Sequence, residues 1–280
     1  MNTRCILESM ARRWANAENW KCFSGLKNKV KEIWIEGNIS YQELEKSVAV
    51  VGSRRISQYG RQVVEKLVSQ LISLRVPVVS GFMYGTDQAV HRGVIEAGGV
   101  TVAVLGWGIK YDKMEEEDKK LWNKIVDSGG VILSEWEYQT PAFWTFPARD
   151  RIMAALSTDI YVVEAAGKSG ALITAEIALD LKKNVWAVPG SVFSSVSAGT
   201  NRIIADGKAK MWLPNQQLSF NLSHEVKSDS KVYSLLQKEV LTADDIAKKL
   251  NKPITDVLQE LMMLTLEGKV MEREGKYQVM

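Results

Sequence analysis

Short apolar runs rich in β-branched residues recur along this chain and constrain it more than any other feature. They are Val48-Ala49-Val50-Val51, Val76-Pro77-Val78-Val79, Thr101-Val102-Ala103-Val104-Leu105, Val131-Ile132-Leu133, Ile160-Tyr161-Val162-Val163 and Val185-Trp186-Ala187-Val188. Each is too short for a helix, and none alternates with polar residues. That is the pattern of strands buried on both faces, which belong to parallel sheets. Stretches of helical spacing lie between them, with Val63, Val64, Leu67, Leu71 and Ile72 after the first run and Thr86 to Glu96 after the second. The alternation predicts a doubly wound α/β domain over residues 46–213 with a mainly parallel sheet. Pro77 within its run fits a strand start or an edge.

Residues 1–45, rich in Trp and Lys and weakly helical, carry no pattern that assigns a fold. Past residue 213 the chain turns polar, and 214–230 read as a linker. Helical pieces over 231–238, 243–250 and 254–266 follow, the last ended by Gly268. Short strands at Val270–Glu272 and Tyr277–Val279 then flank Gly275. Three helices and a β wing in about 50 residues predict a winged-helix-like domain over 231–280.

Composition removes several classes of function. At 46% hydrophobic and 25% charged, the chain of 280 residues is not intrinsically disordered. Cys5 and Cys22 supply neither a disulfide framework nor a four-thiolate zinc site, and His91 and His224 are the only imidazoles, so no metal is expected. No signal-peptide core opens the chain, and no window approaches the roughly 20 apolar residues of a membrane span. The expected setting is a reducing cytoplasm, without a membrane partner. A net charge of +3 permits nucleic acid without demanding it.

Familiar nucleotide fingerprints fail. Gly52-Ser53-Arg54-Arg55 has no second Gly until Gly60, and Gly106-Trp107-Gly108 lacks the third Gly of a dinucleotide-binding turn. Gly167-Lys168-Ser169 resembles the end of a phosphate-binding P-loop, but the position of that loop's first Gly is Val162, inside a strand. What remains is a set of three strand-to-helix loops. They are Gly52-Ser53-Arg54-Arg55, the stretch from Ser80-Gly81 to Gly85-Thr86-Asp87, and Gly167-Lys168-Ser169-Gly170 through Thr174. Helix N-termini present unpaired N–H groups and about half a positive charge, glycines admit close approach, and Ser and Thr add hydroxyl donors. In an open parallel sheet such loops share the carboxyl edge. Arg149 and Arg151, at a helix start, are expected on the same rim. Singly, Ser80, Asp87 or Thr174 reads equally well as a helix cap; together the loops and arginines point to phosphate.

In chain order these segments resemble the DprA/Smf family (DNA-processing protein A) over about residues 33–213. The matching stretches are Val48-Ala49-Val50-Val51-Gly52-Ser53-Arg54, Ser80-Gly81 through Gly85-Thr86-Asp87 with His91, and Ser134-Glu135. Phe146 to Ser157, Ser169-Gly170-Ala171-Leu172-Ile173-Thr174-Ala175 and Ala187-Val188-Pro189-Gly190 complete the series. The resemblance implies an extended Rossmann-like sheet, no cofactor and no catalysis. It also implies a homodimer that binds single-stranded DNA, protects incoming strands and loads a RecA-type recombinase during natural transformation. Its DNA pocket would use Arg54 and Arg149 with Arg151. The chain departs from the family in having Thr86 where Ile is usual and Asp150 where Asn is usual, which sets a carboxylate beside two guanidiniums. Residues 1–45 are too short for the whole N-terminal helical domain of many members.

Several other residues carry expectations. Trp136, Tyr138, Phe143, Trp144 and Phe146 read as loop packing ahead of base stacking, and Phe82 and Tyr84 as stacking candidates. His91 reads as a hydrogen-bond partner, and Glu164 and Glu176 as caps or ion-pair members. Residues 231–280 hold equal numbers of acidic and basic side chains, and their last helix carries Asp256, Glu260 and Glu267 between Lys252 and Lys269. A helix that reads DNA needs cations or amides, so the module reads as a protein-contact element. Met262, Met263 and Leu264 read as core. The competing class is an enzyme on nucleoside monophosphates of the LOG phosphoribohydrolase type, whose Pro-Gly-Gly-x-Gly-Thr-x-x-Glu loop is absent from Gly167–Glu176. A scaffold that meets a recombinase and touches DNA weakly is the third.

Overall fold

The computed structural model describes residues 13–18, 20–214, 231–237, 239–266, 270–273 and 275–279. The chain divides into two units, Met1–Ser219 and Phe220–Met280.

The segment ahead of the first apolar run holds β1 (Arg13–Asn16), β2 (Glu32–Glu36) and the single-turn helix α1 (Tyr41–Leu44). Its strands are antiparallel to each other. Ile33 and Ile35 of β2 alternate with Glu32, Trp34 and Glu36 and are buried, which is the period of a half-buried strand.

The apolar runs follow as β3 (Ser47–Val51), β4 (Val78–Ser80), β5 (Thr101–Val104), β6 (Val131–Ser134), β7 (Ser157–Val162) and β8 (Asn184–Ala187), with a short β9 (Lys210–Met211). Between them run α2 (Gln58–Ser73), α3 (Thr86–Glu96), α4 (Glu116–Asp127), α5 (Thr145–Leu156), α6 (Gly170–Asp180) and α7 (Ala198–Ala205). The sheet order is β1-β2-β6-β5-β4-β3-β7-β8-β9. From β6 to β9 every pairing is parallel, and β2 lies antiparallel on β6. Every residue of β3, β5 and β6 is buried, as sandwiching between helices requires. Each such Val or Ile contributes roughly 1.5–3 kcal/mol of burial free energy. Pro77 stands just before β4, where its missing N–H breaks no ladder bond, and its carbonyl accepts from Val48 N at 3.0 Å.

The chain walks from β3 to β6 in one direction, then returns to lay β7 on the other side of β3. The strand order therefore reverses between β3 and β7, and the crevice beyond their carboxyl ends is where open α/β sheets bind ligands.

The second unit contains α8 (Lys231–Leu236), α9 (Ala243–Leu250) and α10 (Ile254–Leu266), then the antiparallel hairpin of β10 (Val270–Arg273) and β11 (Lys276–Val279). Its core gathers Val232, Leu236, Ile246, Val257, Leu261 and Leu264. Met262, expected in that core, is 66% exposed, because it falls with Ile254 and Leu258 on the outward face of α10 at a spacing of four. Residues 215–230 of the linker, and Glu267, Gly268 and Lys269, lie outside the described residues, as do Cys5, His224 and the Met263 side chain. Among the described residues no helix is long and apolar enough to cross a membrane, and no cluster of His, Cys, Asp and Glu forms a metal set.

Candidate nucleic-acid interface

The crevice between β3 and β7 is a groove of about 570 Å³. Two of the three loops supply most of its loop lining: Gly52, Ser53 and Arg54 after β3, and Ser169, Gly170 and Thr174 at the start of α6. Arg54 is exposed, and its guanidinium lies over the Phe146 ring, 5.1 Å from the centroid. That contact holds the cation at the groove without neutralising it. Ser53 Oγ accepts from Arg55 N at 3.0 Å, which bends the chain directly after the strand. Ser169 caps α6, its Oγ accepting from Ala171 N at 3.4 Å, and no acidic residue occupies the helix's first turn. The positive end of α6 is thus left uncancelled toward the groove. Thr174 lines the same groove at 1% exposure, and its Oγ1 has no hydrogen-bond partner.

The middle loop is a brace beneath the other two. Thr86 N and Thr86 Oγ1 donate to Ser53 O at 3.0 and 3.1 Å, and Asp87 accepts from Met83 N at 3.2 Å. Ser80 Oγ donates to Val50 O at 2.7 Å. With Gln88 N donating to Met83 O at 3.3 Å and Ala89 N to Gly85 O at 3.1 Å, the Thr86 N bond leaves little of the α3 N-terminus open to an anion. Gly52 and Gly85 interlock here, since a Cβ on Gly52 would overlap Thr86, and one on Gly85 (φ +79°) would overlap the backbone of Ser53 and Arg54. Gly81 is packed against the Arg149 guanidinium and the Asp87 carboxylate. Of this loop only Met83 and Asp87 reach the groove wall.

Arg149 and Arg151 depart from the rim role expected of them. Arg149 lines the groove but is 5% exposed, with Nε donating to Asp150 Oδ1 at 2.9 Å and Nη1 to Val104 O at 2.9 Å. Asp87 Oδ2 lies 4.0 Å from the same Nη1. The carboxylate at position 150 therefore turns inward onto Arg149, and a cation expected to meet phosphate is spent in an internal ion cluster. Arg151 sits on a different face of α5, paired with Glu135 at 2.5 Å, and lines a separate cavity. Lys168 is exposed in the loop before α6 but is not on the groove wall.

Burial governs the titration of this cluster. Asp87 is pushed up to about 6 by desolvation, against the pull of Arg149. Asp150 also rises through desolvation, opposed by Arg149. His91, fully buried, is pushed down to about 4 by desolvation. Its Nε2 stands 2.5 Å from Gly81 O, an atom that only accepts, so Nε2 carries the proton and Nδ1 accepts from Thr101 Oγ1 at 2.6 Å. His91 is the hydrogen-bond partner its sequence position suggested. Glu164, 1% exposed, accepts from Ser57 N at 2.9 Å and Ser57 Oγ at 2.5 Å, and so anchors the start of α2.

The aromatics divide against expectation. Phe82 is buried among His91, Trp107 and Trp122 and is no stacking platform. Phe143, read as loop packing, is 99% exposed and lines the groove with Phe146. Ser195 and Val196, after β8, also line it and carried no sequence signal beyond their nearness to Pro189-Gly190.

Comparison with known proteins gives a family match. The model of DNA recombination-mediator protein A matches residues 14–223. Protein Smf of Escherichia coli is 30% identical over 250 residues, 82% of this chain and 67% of that protein. DNA processing protein DprA of Streptococcus pneumoniae is 36% identical over 176 residues, 62% of this chain and 61% of that one. The chain thus spans about two thirds or less of these relatives' length. The crystal structure of the pneumococcal DprA superposes with a TM-score of 0.64 at 31% identity, over 76% of this chain and 75% of that one. DprA of Helicobacter pylori, described for its single-stranded DNA binding mode, superposes with a TM-score of 0.63 at 26% identity, over 72% and 92%.

Proposed function

The chain belongs to the DNA recombination-mediator protein A (DprA/Smf) family, and on that premise we propose that it binds single-stranded DNA along the β3–β7 groove. The carrying observation is the convergence, at the reversal of strand order, of the Gly52-Ser53-Arg54 bend and the positive end of α6, which no acidic residue cancels. Backbone N–H groups and Arg54 grip phosphates, while Thr174 Oγ1 supplies an unused hydroxyl. Phe143 offers a fully exposed ring for an unpaired base. The H. pylori relative's single-stranded DNA binding supports the same reading. Such contacts release counterions, so affinity falls steeply with salt and hardly varies with sequence. Titrating fluorescent oligonucleotides from low to moderate salt tests this; a salt-independent affinity refutes it.

The same reading assigns the protein to strand protection and to loading a RecA-type recombinase, as a homodimer and without turnover. Incubation with nucleoside monophosphates then releases no free base. The second unit serves protein contact. Its helix α10 presents Ile254, Leu258 and Met262 to solvent, and its Lys252 is held by Glu260 at 3.0 Å.

A further inference from the structure

A second cavity, of about 600 Å³, opens on another face of α5. Phe146, Arg149, Asp150 and Met153 face the phosphate groove, whereas Ala148 and Arg151 face this cavity, and Pro147 borders both. Its walls include Trp136 and Trp144, which meet edge to face with centroids 5.7 Å apart at 84°. Trp144 is 58% exposed, and Leu26 and Leu181 add apolar surface.

Glu135 and Arg151 also line it, joined through Oε1 and Nη2 at 2.5 Å. Their other atoms, Glu135 Oε2 and Arg151 Nη1, are buried without any hydrogen-bond partner. Native proteins rarely leave such atoms unmet, so an unmet acceptor and an unmet donor on one ion pair mark an incomplete site. A purely apolar occupant leaves both unmet, and a simple ion makes no use of the indoles. A planar ring bearing an N–H beside an acceptor satisfies the pair and stacks on tryptophan. Every DNA base has such an edge, so the site need not discriminate among them.

We propose that this cavity takes an unpaired nucleobase, from a strand lying in the neighbouring groove or from a free nucleotide. The strand source rests on the phosphate-groove reading, because Pro147 and the Phe143–Trp144 corner connect the two cavities.

Photocrosslinking of the full-length protein tests it, with oligonucleotides carrying 5-iododeoxyuridine and, separately, with 5-iododeoxyuridine monophosphate. Adducts at Trp136 or Trp144 are expected with the oligonucleotide. The same adducts with the monophosphate identify free nucleotide as a sufficient source. Adducts confined to Phe143, Phe146 or other positions in both arms overturn the proposal. A second measurement compares oligothymidylates of about 12 nucleotides with abasic chains of equal length. Trp144→Leu lowers the preference for the base-bearing chain about tenfold and leaves abasic binding unchanged; an unaltered preference overturns the proposal. Arg54→Ala weakens both chains alike if the groove holds phosphate. Failure of that control refutes the groove and leaves the Trp144 result to be read by itself.

Discussion

Arg54 keeps its charge at the groove surface because its guanidinium rests on the face of Phe146, whereas Arg149 is drawn inward by Asp150, Asp87 and Val104 O. The two arginines therefore answer differently to mutation. Arg54→Ala weakens all single-stranded DNA to a similar degree and lowers the slope of log affinity against log salt by about 1, with little change in stability. Arg149→Met acts on the fold, since it strands Asp87 and Asp150 in a buried site, and a loss of about 3–5 kcal/mol is expected from urea titration. That loss is smaller at pH 4 than at pH 7, because the stranded carboxyls take up protons. The Asp87–His91 neighbourhood gives a second prediction. Asp87, raised to about 6, contributes stability that declines as pH climbs from about 4 to 6. His91, lowered to about 4, contributes stability that declines as pH falls from 6.5 to about 4. The two swings, each about 3 kcal/mol, oppose one another across that window. Asp87→Asn removes one of them, so the variant's unfolding midpoint drops between pH 6.5 and 4.5 more steeply than the parent's.

Among the elements, α6 and α3 begin in much the same way on paper and differ in what their N-termini meet. Ser53 O and Met83 O satisfy Thr86 N and Gln88 N of α3 from the loops around it, while the α6 start relies on Ser169 alone, through its hydroxyl and its carbonyl, and Thr174 just beyond the first turn is unpartnered. Thr174→Val replaces a buried, unpaired hydroxyl by a methyl of similar shape. It should raise the thermal stability of the DNA-free protein by about 1 kcal/mol and lower DNA affinity. A stability loss would mean that Thr174 Oγ1 is already bonded in the free protein. Strand β2 shows a signal that sequence inspection passed over. Glu32-Ile33-Trp34-Ile35-Glu36 buries every second residue, but Trp34 between the two isoleucines and the Lys- and Trp-rich surroundings hide that period on paper. In the second unit, Leu264, read as core, is buried at 5% exposure. Met262, read the same way, is exposed, because Ile254, Leu258 and Met262 form a second apolar ridge on the same helix.

At the scale of the whole molecule, the proposed homodimer predicts a light-scattering mass of twice 31.3 kDa. Gel shifts should favour single-stranded over double-stranded oligonucleotides. Leu258→Asp on α10 should leave single-stranded DNA affinity unchanged, since α10 belongs to the unit assigned to protein contact; a large loss would place DNA on that unit. The class of the fold was open to reading because strands buried on both faces must be apolar throughout, and helix-spaced stretches between them admit only crossover connections. The same rule assigned the glycine-bearing loops to one edge of the sheet, since every parallel strand ends there. The order that sets β7 beside β3, and so chooses which two loops share the groove, required the folded chain. So did the state of each cation, because burial and pairing depend on carboxylates and carbonyls brought from distant segments. Local sequence thus determined which residues approach the binding edge, and tertiary packing decided that Arg54 faces the groove while Arg149 and Arg151 are bound in internal ion pairs.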